Sequence, residues 1–358
     1  MEEKRERIVF LDLLRITAIF AMVFLHIFAG DFLGMDSGWR TASPNTAAWQ
    51  IFNVYDCLMR FCVPVFCMIS GILFLDPDRD VPMKKLFSKN IRRIVLAFVF
   101  WSPVYAVLGV LLRGERLGLQ TVIDTVKRTV FGHYHLWFLL MLLGFYLVVP
   151  LLRRITADKR LTEYFLILTF VFTFLQNALL LIAPLKNLID IQAGKMSLYM
   201  VTGFVGYFVL GSYLYRYPPR TAVRHGIYLL GILSFVGTAA AAGVISFFSG
   251  KPNDELYGYL LPNTLCEATA VYLFFAAHFG KRTFSPRATA RITTLSSCCF
   301  GIYLVHDLVN MLLRRLGITA AAFLPALSVP VLAAAVFATS FGITCLLRKA
   351  PLFRKYLM

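Results

Sequence analysis

Residues 8–30 read IVFLDLLRITAIFAMVFLHIFAG, and only Asp12, Arg15 and His26 among them are charged or ionisable. About 20 largely apolar residues are enough for a helix to cross the hydrocarbon core of a bilayer, so this stretch predicts a membrane-spanning helix. Its apolar run is longer than that of a signal peptide, and no small-residue cleavage site follows it. We therefore expect the stretch to remain as the first span.

The rest of the chain repeats this apolar pattern. Of its 358 residues 59% are hydrophobic and the mean hydropathy is +0.71, which is too apolar for a soluble protein. No loop is long enough for a separate domain, so we predict an all-α, polytopic integral membrane bundle that forms one domain over residues 1–358. The predicted spans, about ten, are 8–30, 49–75, 91–112, 136–152, 162–183, 197–216, 226–248, 257–280, 295–313 and 322–347.

The basic residues explain the net charge of +17 without a nucleic-acid partner. Counted in alternate loops, 24 Lys and Arg lie on the side of the N-terminus and 10 on the other, while Arg15 and Arg60 lie inside spans. Cytoplasmic loops of membrane proteins carry such an excess. Both termini are therefore predicted to be cytoplasmic.

The cysteines do not indicate a metal site or disulfides. All seven lie within the predicted spans, and none forms a zinc-type CxxC pair. We interpret them as small hydrophobic core residues and predict no metal. The chain also has no P-loop, Rossmann or zincin motif, so no permanently bound cofactor is expected.

The ionisable residues of the first span share one helical face. Arg15 and His26 are eleven residues apart, which brings the helix back to within about 20° and separates the two by roughly 16 Å along the axis. Asp12 lies one turn from Arg15. Charges inside a membrane are costly and so indicate function, although Asp12 and Arg15 could simply form an ion pair. His26 could act as a general base, or only bond a neighbouring carbonyl.

Further polar residues lie in later spans. Asn53, Asp56 and Arg60 share a face of the second span, where pairing of Asp56 with Arg60 is the favoured interpretation. Glu267 lies in the middle of the eighth predicted span, so it needs a partner such as Arg15 or Arg60, or else it is protonated.

The ninth predicted span places Tyr303, His306 and Asn310 on one face, with His306 near mid-membrane. His306 could transfer protons, or it could stabilise helix packing through a hydrogen bond. Gln176 and Asn177 in the fifth span are weaker signals.

Four short motifs follow one another along the chain. They are Leu11-Asp12-Leu13-Leu14-Arg15 with His26, Arg60 with Val63-Pro64-Val65-Phe66 and Ser70-Gly71, His135-Leu136-Trp137-Phe138-Leu139, and Phe300-Gly301-Ile302-Tyr303-Leu304-Val305-His306. In this order, the motifs resemble those of the membrane-bound acyltransferases of the acyltransferase-3 group over nearly the whole chain.

The resemblance implies O-acylation, usually O-acetylation, of a cell-surface or exported carbohydrate or lipid-linked glycan at the inner, cytoplasmic membrane. Acetyl-CoA, or another acyl-CoA such as a succinyl or longer donor, would be the co-substrate. The ionisable residues and the resemblance together give the following site residues, as expectations: catalytic, His26, Arg15, Asp12, His306 and Tyr303; substrate-binding, Arg60, Asp56, His135, Trp137 and Glu267; coenzyme-binding, Lys89, Arg92 and Arg93.

The coenzyme-binding assignment rests on a departure from the family pattern. Where the family often has Arg-x-x-Arg, this chain has Asn90-Ile91-Arg92-Arg93, so Lys89 and Arg92 are expected to substitute.

Two other classes of function stay open. Intramembrane charges also mark the substrate path of a transporter or flippase for an acylated sugar or small anion, and a non-catalytic membrane domain could partner another enzyme.

Overall fold

The computed structural model describes residues 7–33, 43–78, 82–321 and 323–357, and all regular structure in these ranges is helical. Nine segments within them are long and apolar enough to cross a membrane, which confirms the predicted all-α, polytopic membrane bundle. The helices are α1 Val9–Leu33, α2 Ala47–Met59, α3 Cys62–Phe74, α4 Met83–Lys85, α5 Arg92–Arg113, α6 Leu119–Phe131, α7 Trp137–Thr156, α8 Lys159–Thr169, α9 Gln176–Leu180, α10 Ala183–Met196, α11 Val205–Arg216, α12 Thr221–Ser249, α13 Pro262–Phe279, α14 Pro286–Arg315 and α15 Pro325–Leu347.

Helix α1 lies at the centre of the bundle. It contacts α2, α3, α13, α14 and α15, and Leu14, Ala18 and Val23 on it are fully buried. A span enclosed by other helices can carry polar side chains, because neighbouring helices rather than lipid surround them. The ionisable face of α1 is therefore directed at protein.

The second predicted span is a broken helix. α2 and α3 are separated by Arg60 and Phe61, and the chain resumes its helical path through the hydrogen bond from Val65 N to Phe61 O at 3.0 Å. Pro64 accounts for the break, because it has no N–H to donate to the Arg60 carbonyl and its ring would clash with that carbonyl in a continuous helix. Arg60 thus sits at a discontinuity inside the bundle.

The helix within the predicted span 197–216 is shorter than expected. Its helix α11 has 12 residues, about 18 Å, and Ser197 and Gly203 before it adopt positive φ angles of 53° and 82°. The hydrocarbon core is about 30 Å thick, so this segment accounts for the difference between about ten predicted spans and nine. Irregular backbone at membrane depth is tolerated where protein surrounds it.

Two glycines bring α3 and α11 into backbone contact. A Cβ atom on Gly71 would overlap the carbonyl oxygen of Phe208, and one on Gly211 would overlap that of Met68. Small residues allow such close packing of membrane helices. Gly71 of the Ser70-Gly71 motif therefore lies where α3 comes closest to α11.

The connection 113–135, predicted as a long loop, contains the amphipathic helix α6. The chain turns at Gly114, and Ser102 Oγ of α5 donates to the Thr129 carbonyl of α6 at 2.5 Å. Ser102 is eleven residues from the end of α5, about 16 Å along its axis, so α6 runs back alongside α5. Its last residues carry the following histidines into the depth of the bundle.

Glu115 anchors the turn between these helices. It accepts hydrogen bonds from Arg113 at 2.6 Å and from Arg128 of α6 at 3.1 Å. These bonds lower the pKa of the Glu115 carboxyl, and the bond from Arg113 has the largest effect.

Candidate active site

α1 and α14 pack along one another, and residues of both helices contribute to two polar clusters. The first, which we call the arginine end, consists of Asp12, Arg15, Arg93 and Ser296. The second, which we call the histidine end, consists of His26, His133, His135, His306 and Asp307. Four of the six histidines of the chain therefore lie together.

A chain of hydrogen bonds fixes the orientation of His26. Its Nδ1 lies 2.7 Å from His306 Nε2, and His306 Nδ1 lies 2.7 Å from the Tyr303 carbonyl oxygen. A carbonyl can only accept, so Nδ1 of neutral His306 carries its proton and Nε2 accepts from His26 Nδ1. The hydrogen-bond network therefore assigns an unprotonated Nε2 to neutral His26. None of the described residues bonds this nitrogen.

Asp307 forms hydrogen bonds with three side chains next to the His26–His306 pair. One carboxylate oxygen lies 2.5 Å from His133 Nε2, and the other accepts from Tyr134 Oη at 2.9 Å and Asn310 Nδ2 at 3.3 Å. Asn310 also donates to the His26 carbonyl at 3.0 Å. The carboxylate thus joins α14 to the segment after α6, and Asn310 joins α14 to α1.

His135 differs from the other histidines because both of its ring nitrogens are buried without a hydrogen-bond partner in the described chain. The residue is 2% exposed, and its ring packs against Tyr105, Tyr303 and His306 at centroid distances of 4.9, 5.4 and 5.1 Å. Buried polar atoms are usually satisfied, so a free imidazole here indicates a partner that binds from outside the chain.

His133, His135 and Asp307 offer potential ligand atoms within 4.8 Å of one another, a donor set that zinc accepts. However, His133 Nε2 and Asp307 Oδ2 are 2.5 Å apart, whereas two ligands on one tetrahedral zinc are about 3.3 Å apart. The arrangement is that of a hydrogen-bonded pair rather than a metal centre.

At the arginine end, Asp12 is an acceptor for three side chains. It accepts from Arg15 at 3.1 Å, from Ser296 Oγ at 2.6 Å and from Arg7 at 2.5 Å. Arg15 also donates to Ser296 Oγ at 2.8 Å, so the predicted ion pair of Asp12 with Arg15 is confirmed and extends to α14. Two guanidinium groups face one carboxylate, which leaves this end positive.

A cavity of about 180 Å³ connects the two ends, since Arg15 and His26 both line it. His135, Trp137 and Tyr303 also border it. The wall between the ends is apolar, with Ile19, Met22, Val63, Phe66, Phe138 and Leu142 among its residues. The spacing of Arg15 and His26 on α1 gives the passage a length of about 16 Å.

A model of the acyltransferase-3 family, described as an acyltransferase domain, matches residues 8–348. The chain belongs to this family of membrane-bound O-acyltransferases. Comparisons with curated proteins and with solved structures gave no match. The family assignment therefore rests on the sequence of nearly the whole chain, and it makes the connecting cavity the candidate active site of an acyltransferase.

Asp56 and Arg60 of this acyltransferase pair with each other, as predicted, at 2.5 and 2.8 Å. The Arg60 guanidinium lies over the rings of Tyr257 and Tyr259, 5.6 and 5.1 Å from their centroids. Tyr259 borders the cavity, whereas Asp56 and Arg60 do not. The pair therefore packs against Tyr259 of the cavity wall without lining the cavity itself.

Glu267 lies away from the cavity. It is 8% exposed and lines a separate, largely apolar groove of about 500 Å³ together with Tyr228 and Phe275. Of the two predicted alternatives, an ion pair with Arg15 or Arg60 is not formed in the described ranges. Glu267 thus lies within electrostatic range of Asp56 and Arg60 but does not line the cavity.

The three predicted coenzyme-binding residues differ in their positions. Arg93 reaches the cavity wall, because its guanidinium lies 4.7 Å from the ring centroid of Phe300, and its buried Nε has no partner in the described residues. Arg92 lies over Tyr356 at 5.2 Å, and Lys89 is exposed on the π-helical turn Leu86–Ile91. Only Arg93 is close to the passage.

Several site residues were not predicted from the sequence. Asp307 directly follows His306, and His133 and Tyr134 precede His135, so their neighbours in the sequence were a usable signal. Ser296 carried no such signal, because a serine in an apolar span is common and its bond to Asp12 appears only when α1 and α14 pack.

Proposed function

We propose that this acyltransferase transfers an acyl group, most simply acetyl, from an acyl-CoA thioester to a hydroxyl of a carbohydrate or lipid-linked glycan. One observation carries the proposal: the cavity has a positive cluster at one end and an unprotonated, unpartnered imidazole nitrogen at the other. The family supplies the reaction class, and the two ends suit an anionic donor and a neutral acceptor.

The arginine end is the proposed docking site of the coenzyme. Its phosphates are anionic, and guanidinium groups form charge-assisted, often bidentate hydrogen bonds with phosphate. Arg93 and Arg15 line or border the passage, so the thioester arm can enter beside them and extend along the apolar wall. The positive-inside distribution of basic residues supports a cytoplasmic location for this end, where acyl-CoA is available.

At the histidine end, we assign the proton transfer to His26. Its Nε2 takes the proton of the acceptor hydroxyl while the oxygen attacks the thioester carbonyl carbon. The new C–O bond forms, the C–S bond breaks, and the thiolate leaving group takes the proton back from His26. His306 holds the Nδ1 proton in place, which keeps Nε2 available.

His135 is the proposed stabiliser of the negative charge that develops on the carbonyl oxygen. A neutral imidazole has one N–H, and that of His135 has no acceptor in the described chain. A donor already oriented in a dry site stabilises an oxyanion more strongly than water does. His135 borders the same cavity as His26, so one bound carbonyl could meet both.

The proposal is tested with the purified protein in lipid nanodiscs, radiolabelled acetyl-CoA and a crude lipid-linked glycan fraction. We expect label to appear on the glycan, with succinyl-CoA and a longer acyl-CoA as parallel donors. Transport of the acylated glycan into vesicles without any transfer of label would instead identify a transporter or flippase.

A further inference from the structure

A second cavity, of about 310 Å³, lies between the end of the fifth predicted span and the turns before α11. We call it the amide pocket, after the side chains of Gln176 and Asn177 that line it together with Ser197 and Thr202. None of its lining residues is charged, although the chain carries a net charge of +17. The pocket therefore suits a neutral, polar ligand.

The polar groups of the amide pocket are available to a ligand. Gln176, Ser197 and Thr202 make no side-chain hydrogen bond to the described residues, and Asn177 uses only its Nδ2, which donates to the Thr173 carbonyl at 2.7 Å. The free groups include both donors and acceptors. Phe172 and Tyr199 add aromatic surface, and the Tyr199 side chain is largely exposed.

The backbone around the pocket is irregular but fixed. Phe170–Leu175 forms a π-helical turn, a feature that occurs frequently at functional sites. Thr173 on this turn accepts a hydrogen bond from Gly203 N at 2.9 Å, which joins the two walls. Ser197 on the opposite wall adopts a left-handed φ of 53°, uncommon for a residue other than glycine.

The ring of Phe204 lies between the lining of the amide pocket and that of the candidate active site. Gly203 lines the pocket, and the ring of the next residue, Phe204, packs against Trp137 at 5.4 Å and Tyr259 at 6.1 Å. Trp137 and Tyr259 both border the active-site cavity. A ligand longer than one unit could therefore occupy both cavities.

We propose that the amide pocket binds uncharged sugar residues of the acceptor while the reacting sugar lies at His26. This inference rests on the proposed function and names the acceptor as an oligomer with a neutral portion. Sugar hydroxyls donate and accept hydrogen bonds as amide and hydroxyl side chains do, whereas anionic sugars or coenzyme phosphates would be bound by cations. The lining contains no cation.

Binding is measured first, without acyl transfer, on the protein in lipid nanodiscs. The probes are three neutral trisaccharides, maltotriose, cellotriose and chitotriose, and one acidic trisaccharide, trigalacturonic acid. We expect at least one neutral probe to bind and the acidic probe to bind more weakly. Gln176→Leu should weaken the neutral probe roughly tenfold, and Thr202→Val should weaken it by a smaller factor, because each removes a hydrogen-bonding group.

The control is Gln192→Leu, which makes the same chemical change on the exposed surface of α10. It should leave binding unchanged, and the melting temperature of each variant verifies its folding. The inference is overturned if no neutral trisaccharide binds, if trigalacturonic acid binds as tightly, or if Gln192→Leu weakens binding as much as Gln176→Leu. A failure of label transfer from acetyl-CoA would refute the proposed function without changing this binding result.

Discussion

Residues of α1 and α14 contribute to both the arginine end and the histidine end, yet the polar groups of the two ends are used differently. At the arginine end Asp12 accepts from Arg7, Arg15 and Ser296, and the buried Nε of Arg93 has no partner in the described residues. At the histidine end both ring nitrogens of His135 lack a partner in the described chain. Satisfied buried networks make packing specific, whereas a costly unsatisfied group indicates a binding function.

The two ends also differ in charge. The arginine end combines several guanidinium groups with one carboxylate, whereas Asp307 at the histidine end is surrounded by His133, Tyr134 and Asn310, none of which is permanently charged. A positive end recognises anions, and a cluster of imidazoles can accept or donate a proton. In the proposed function, one passage therefore separates binding of the donor from the proton transfer.

The largest expected effect is an all-or-none difference in thiol labelling, which shows which of the two ends faces the cytoplasm. Lys251 is exposed in the connection between α12 and α13 on the side of the histidine end, and Lys281 is exposed after α13 on the side of the arginine end. With the seven native cysteines replaced, Lys251→Cys should react with an impermeant thiol reagent in intact cells, and Lys281→Cys only after lysis. The opposite pattern would reverse the orientation of the two ends.

A loss of about 100-fold or more in kcat is expected for His26→Ala, the usual scale for a positioned general base. The measurement is the rate of acyl transfer at saturating acetyl-CoA, with expression and melting temperature as folding checks. His278→Ala is the matched control, because His278 is exposed on α13 and bonds only the Phe274 carbonyl. Near-full activity of His26→Ala would show that His26 is not the general base, and the histidine end would then have no assigned proton transfer.

The smallest effects, a several-fold increase in the KM for acetyl-CoA, are expected for Arg93→Ala and Arg92→Ala. Arg93 should show the larger change because it contacts Phe300 of the cavity wall, whereas Arg92 lies over Tyr356. Both effects should shrink as salt rises, and the KM for the glycan should stay nearly unchanged.

Arg282→Ala, in the exposed connection before α14, provides the control for a loss of positive charge on the same side. If Arg92→Ala and Arg93→Ala both keep the wild-type KM at low salt, the coenzyme docks elsewhere. Arg15, which lines the passage, then becomes the leading candidate.

Most of the fold could be predicted because apolar length determines a span largely independently of its neighbours. The exceptions have local physical causes. Pro64 breaks the second span in two, and α6 is amphipathic, so its mean hydropathy does not reveal that it runs back alongside α5. The short helix α11 resembles a full span in the sequence because the turns before it contain apolar residues as well.

The candidate site could be predicted only within single helices. Helical spacing places Asp12, Arg15 and His26 on one face, and all three point into the bundle. The bond between His26 and His306 joins residues 280 positions apart, and no periodicity in one sequence encodes such a pairing. His133 was missed as a site residue for the same reason, since the return of α6 places it beside Asp307.

The glycine contact between α3 and α11 also has a consequence for biogenesis. Gly71 and its partner Phe208 are 137 positions apart in the chain. At roughly 5–20 residues per second, a ribosome needs about 7–27 s to synthesise this interval. During that time α3 is inserted without its partner, so its glycine surface is exposed to lipid or to an insertion factor. A slower ribosome would lengthen that exposure and a faster one would shorten it.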